Sequence, residues 1–144
     1  MNHEDKNDLA SAGNFLRDRC HDASRTAGWW YDSKMGRDLI DLIKNPISPI
    51  EARLGKALVA EKLCLTHSEV SEGMEGHRKG RMDDHLPHRS MLEVELADAV
   101  IRIADLAGAL GLDLGGAIAE KMAYNAVRPD HKKEAREQAG GKAY

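Results

Sequence analysis

Glu69 with Glu72, and Glu95 with Asp98, make two acidic pairs of three-residue spacing inside segments that otherwise read as amphipathic helices. Residues three apart share a helix face, so each pair aims its carboxylates the same way. Two such helices packed side by side would gather all of these negative groups into one small volume. At an effective dielectric near 20 and a separation of about 5 Å, each like-charge contact costs roughly 3 kcal/mol. That is a large share of a small domain's stability. A cluster of this kind requires a cation, and an all-oxygen donor set fits Mg²⁺, with Mn²⁺ as a substitute. The plainer alternative is a solvated acidic face in which Asp98 pairs with Arg102 four residues on.

Helical phase bears on both alternatives and leaves both open. With Glu95 at zero, Leu92, Leu96, Ala99, Ile103, Leu106 and Leu110 fall between about 20° and 100°. Glu95, Asp98 and Arg102 occupy the arc back to about −60°, and Val94 with Ile101 lies beyond it, near −110°. The acids are thus flanked by apolar surface on both sides. In the preceding helix Leu54, Leu58, Leu65, Glu69 and Glu72 share a face, with Glu61 beside them. A solvated face would set its acids opposite the leucines. The second apolar patch, around Val94 and Ile101, is expected to be a subunit interface.

Lys121, Asn125 and Arg128 follow at i, i+4 and i+7, continuing the line of Leu114 and Ile118. A lysine point charge, an arginine fork and an amide on one stripe suit an oligophosphate, and His131 and Lys132 would extend it. The alternative is a basic helix end favoured by the helix dipole. Trp29 and Trp30 offer an aromatic plate for a nucleobase, Trp30 being taken as the substrate-binding residue. Their other role would be to pin the connecting segment to the bundle.

The elements that must position these groups are helical. Six aromatic residues in 144, against abundant Ala, Leu, Ile and Met, favour helix over sheet. Residues 8–27 carry a moderate apolar stripe, and 28–48 form a connector with a short helix at 38–44. Ser48-Pro49-Ile50-Glu51 and Ser90-Met91-Leu92-Glu93 are capping boxes, predicting helices that end at Gly80 and at Gly108 or Gly111. Asp113 caps a further helix, stopped near Arg128 by Pro129. Residues 80–89 form a polar loop with His85 and His88, placed where a lid would fall. The tail from 130 onward is charged, then glycine-rich, and is expected to be loose. The expectation is one all-α domain over 1–144 with its core at about 50–129. It would be a compact four-helix-type bundle, completed by oligomerisation. The net charge of −3 gives no basic field for a nucleic acid polymer. No apolar run approaches the roughly 20 residues of a membrane span. With two cysteines at no metal spacing and a polar start, the chain reads as cytoplasmic.

On these motifs the chain resembles the MazG-like, all-α nucleoside triphosphate pyrophosphohydrolases. The first motif stands here as Ser68-Glu69-Val70-Ser71-Glu72, the second as Glu95-Leu96-Ala97-Asp98, and the later Lys-x-x-x-Asn-x-x-Arg-Pro as Lys121, Asn125, Arg128 and Pro129. The resemblance covers roughly residues 54–132. Ser68 stands where many members carry a first glutamate. The resemblance implies that Glu69, Glu72, Glu95 and Asp98 are catalytic and bind Mg²⁺. Lys121, Asn125 and Arg128 would hold the triphosphate, and a homodimer or homotetramer would cleave nucleoside triphosphates to monophosphate and pyrophosphate. Two rival readings are a non-catalytic helical interaction module and an HD-type metal phosphohydrolase using His21-Asp22, for which no further ligand set is evident.

Overall fold

The computed structural model describes residues 2–128, and the expectations placed on the tail lie outside them. Among the described residues the chain is mainly helical, with a sheet of two short strands. The described residues divide into two compact units, one of residues 16–112 and one combining residues 2–15 with residues 113–128. No described helix is long and apolar enough to cross a membrane.

The larger unit contains the later turns of α1 (His3–Thr26), a small hairpin, and helices α2 (Leu39–Lys44), α3 (Pro49–Lys79) and α4 (Met91–Leu110). Gly28 at φ 84° ends α1 and turns the chain into β1 (Tyr31–Asp32), which pairs antiparallel with β2 (Arg37–Asp38), Tyr31 opposite Asp38. Helix α3 starts as its capping box predicts. Ser48 Oγ accepts from the Glu51 N–H at 3.1 Å, and the Glu51 carboxylate accepts from the Ile47 N–H at 2.9 Å. Its end is a left-handed Gly80 at φ 60°. Ser90 and Gly111 cap α4 in the same manner.

The core of this unit differs from the expectation in one respect. Trp30, Ile40, Leu106 and Ala109 form its buried cluster, with Leu39, Ile43 and Leu110 packed against it. The connector of residues 28–48 therefore supplies core side chains instead of lying outside the core. The reason is α2, whose six residues bury Ile40 and Leu42 once Asp38 caps it, accepting from the Asp41 N–H at 2.9 Å.

In the smaller unit, the first turns of α1 cross α5 (Leu114–Val127) at small residues. A Cβ added at Gly115 would lie 2.0 Å from the Ala10 carbonyl oxygen, so glycine is required there. Asn14 secures the crossing, donating to Asp113 at 2.7 Å and accepting from the Gly115 N–H at 3.0 Å.

Candidate metal centre and adjoining cavities

Glycine spacing in α3 brings the acids together. Glu69, Gly73 and Gly76 are the buried residues of its second half, and their i, i+4, i+7 spacing makes one face. A Cβ at Gly73 would lie 3.3 Å from Glu95 Cβ, and one at Gly76 would lie 2.7 Å from Met91 Cβ. Helix α4 therefore sits against bare α3 backbone beside Glu69. The carboxylates of Glu69, Glu95 and Asp98 consequently offer oxygens that all lie within 4.8 Å of one another. They form the sole group of three or more potential metal ligands among the described residues. Glu69 and Glu95 are buried, at 6% and 8% exposure.

The electrostatics of this triad are those of crowded negative charge. Burial, the neighbouring Glu69 carboxylate, and the charges of Glu72 and Asp98 push Glu95 up to about 7. Asp98 is also raised, by burial and then by the Glu69 charge, against a lowering influence from Arg102. The Arg102 Nε lies 2.5 Å from Glu69 Oε1. Its partner is thus across the helix pair, and is not Asp98 four residues earlier on its own helix. Oxygen donors of this charge and separation fit a hard divalent cation such as Mg²⁺.

Glu72 stands apart from the triad. It is exposed, and it lines a cavity of about 620 Å³ together with Glu95, Arg81, Asp83, Asp84 and His85. The polar loop thus forms the other wall of this cavity, and its Asp83 charge contributes to raising Asp98. Asp83 also shapes the loop, accepting from the N–H groups of His85 and Leu86 at 3.0 and 2.6 Å.

A second cavity, of about 410 Å³, is lined by Asp98 and Arg102, with Trp29, Lys62, Leu65, Ile101 and Asp105 among its other walls. The two tryptophans have opposite roles here. Trp29 is 71% exposed, whereas Trp30 is 2% exposed and belongs to the core. Trp30 cannot offer a face to a base in this arrangement: its indole N–H donates to Asp105 Oδ1 at 2.8 Å, and Lys62 Nζ sits 4.6 Å from its ring centroid. The stacking role expected of Trp30 is corrected accordingly, and Trp29 is the aromatic on the cavity wall.

Comparison with protein-family models, with curated proteins and with solved structures found no match to this chain. The site therefore has to be read from its own chemistry.

Lys121, Asn125 and Arg128 lie on or at the end of α5, in the smaller unit. Lys121 Nζ is 4.9 Å from the Tyr124 ring centroid, and the Arg128 guanidinium is 5.7 Å from the same ring. Asn125 Oδ1 is buried and accepts no hydrogen bond among the described residues. His21 and Asp22 join no metal-ligand group there. His21 Nδ1 is instead 2.8 Å from Asp105 Oδ1, edge-on to Trp30.

Sequence reasoning missed Asp105, Lys62 and the paired glycines, and read His21 only as part of a His-Asp dipeptide and not as the partner of Asp105. A signal existed for two of them. Asp105 lies seven residues after Asp98 and so shares its helix face, and Gly73 and Gly76 stand at contact spacing from Glu69. Lys62 had none, and the pairing of His21 with Asp105 had none either, because cross-element partners leave no local spacing.

Proposed function

We propose that the protein is a Mg²⁺-dependent nucleoside triphosphate pyrophosphohydrolase, converting its substrate and water to a nucleoside monophosphate and pyrophosphate. The observation that carries this reading is the convergence of Glu69, Glu95 and Asp98 from two helices, with Glu95 pushed up to about 7 by its neighbours. Glu69, Glu95 and Asp98 would hold the ion. The chemistry that a bound Mg²⁺ supplies there is polarisation of a phosphoryl group and acidification of a water. Glu72 makes no hydrogen bond or ion pair among the described residues and stands on the wall beside Glu95, where a carboxylate can accept the proton of the attacking water. Arg102 lines the second cavity with Asp98 and brings a guanidinium to phosphate oxygens. That cavity accommodates the nucleoside, with the exposed Trp29 indole as its stacking plate. The phosphate role expected of Lys121, Asn125 and Arg128 rests on their motif alone.

Apolar side chains left at the surface support assembly as a homodimer or homotetramer. Leu63, Val70 and Met74 on α3, and Leu96, Val100 and Ile103 on α4, are all between 45% and 64% exposed. In this reading the subunit interface would use these stripes of α3 and α4, whereas Val94 is half-buried and Ile101 lines the cavity assigned to the nucleoside. The same exposed stripes favour the second reading, a non-catalytic helical interaction module.

The deciding experiment incubates the protein with ribo- and deoxynucleoside triphosphates, with and without Mg²⁺, and resolves the products by anion exchange. Monophosphate plus pyrophosphate, abolished by EDTA and by Asp98→Asn in folded protein, is the expected result. Diphosphate plus orthophosphate would overturn the assignment. Absence of turnover, with no Mg²⁺-dependent change in melting, would leave the interaction module.

A further inference from the structure

Asp105 is a buried carboxylate that the proposed hydrolysis does not use. It is 7% exposed and yet lines the cavity assigned above to the nucleoside. Two donors hold one of its oxygens, the Trp30 indole N–H and His21 Nδ1, each at 2.8 Å from Oδ1. No hydrogen bond to its Oδ2 is made among the described residues. That oxygen is not among the sealed, unpartnered polar atoms of the described residues, so it is open to the cavity, where a ligand or water can donate to it.

Its position along α4 is informative. Asp98 and Asp105 are seven residues apart on one face, about 10 Å along the axis at 1.5 Å per residue. That span is comparable with the reach of a nucleotide from its 5′-phosphorus to the outer edge of its base. With the phosphate anchored near Asp98, the edge of the base arrives at Asp105. Leu65 and Ile101 provide apolar walls between the two, and Trp29 provides a plate.

Resting on the pyrophosphohydrolase reading, we infer that Asp105 selects the base, accepting a hydrogen bond from an exocyclic amino group. A carboxylate has acceptors alone to offer, so it suits the amino group of cytosine and meets the carbonyl of uracil with repulsion. The substrate class is therefore nucleoside triphosphates of amino-bearing bases, with uracil and thymine disfavoured where their O4 carbonyl takes the place of the amino group.

The test compares kcat/KM for CTP, UTP and the triphosphate of 2-pyrimidinone riboside, which lacks the amino group, on the wild-type chain and on Asp105→Asn. CTP should exceed both others by about tenfold or more in the wild type, the usual worth of one base-edge contact. Asp105→Asn, which can donate to a carbonyl, should collapse or invert the CTP to UTP ratio. Turnover with equal rates for CTP and the 2-pyrimidinone analogue overturns the inference and leaves the hydrolase standing. An unchanged ratio in Asp105→Asn does the same. The analogue comparison needs only wild-type protein, so a misfolded variant cannot shelter the inference. Absence of turnover of CTP beside turnover of another nucleotide in the wider panel overturns this inference alone, and absence of turnover across the whole panel overturns the hydrolase reading with it.

Discussion

At Glu95 protonation and the proposed binding of Mg²⁺ both act on stability. Its carboxyl titrates near 4.5 in an unfolded chain and is pushed up to about 7 in the fold. Between those values the folded state keeps a proton that the unfolded state has lost, so its contribution to stability falls as pH rises. Below 4.5 both states are protonated and the contribution vanishes; above 7 the loss is complete. In EDTA, chemical denaturation of wild type against Glu95→Gln should show the variant gaining relative stability as pH rises across that window. Saturating Mg²⁺ should reverse the difference by stabilising the wild type, by about 2.7 kcal/mol at a hundredfold excess over Kd. Equal pH profiles for the two chains would refute the crowded triad. Arg102 gives a second prediction at this scale. Its guanidinium is on Glu69, itself only 6% exposed, and in the absence of metal it offsets part of the acid charge. Arg102→Met should lower metal-free stability by about 1–3 kcal/mol, between the values for exposed and buried pairs. It should also enlarge the increase in melting temperature on adding Mg²⁺, read by calorimetry.

At the scale of elements, the sequence was most legible where structure is determined locally. Ser48, Ser90 and Asp113 cap the helices they announce, and Gly80 and Gly111 end two of them in left-handed conformation. These signals involve contacts three or four residues apart, which spacing reveals. Helical phase was a weaker guide to which face is buried. Leu96 and Ile103 share the apolar arc with Leu106, yet they are 50% and 45% exposed against its 7%. Hydrophobicity marks a face as needing cover and does not say what covers it. The acid pairs were legible as a cluster, but Glu72 proved to stand outside the triad because α3 meets α4 along Glu69, Gly73 and Gly76. That line carries its own prediction. In Gly76→Ala the new Cβ would lie 2.7 Å from both Met91 Cβ and Cγ, which sit near the start of α4 and cannot swing clear as a chain end could. Alanine's helix propensity gains about 1 kcal/mol, and forced overpacking costs about 1–3 kcal/mol. The net expectation is a lower melting temperature with weakened Mg²⁺ stabilisation, since the two helices must part beside the acids. A variant that melts higher and keeps its Mg²⁺ response would show that the helix contact is not what sets the site.

At the scale of the molecule, what stays uncovered matters most. Leu63, Val70 and Met74 fall within about 40° on α3, and Leu96, Val100 and Ile103 within about 60° on α4, at 100° per residue. Scattered apolar residues on a surface need no explanation, but two continuous helical stripes do. Each is long enough to seat a partner helix, and the acids lie on the same two helices, so assembly through these stripes would be coupled to site formation. Placing a lysine in the middle of one stripe, Val100→Lys, should therefore act on assembly first, because a desolvated ammonium in an apolar interface is unpaired. Sedimentation velocity at micromolar concentration should show wild type larger than a monomer and Val100→Lys shifted toward it. Metal-dependent turnover should fall together with assembly, and should recover at high protein concentration by mass action. A wild type that sediments as a monomer across that range would leave these stripes to a different partner. Turnover that is unaffected in a dissociated variant would place the whole catalytic apparatus within one chain.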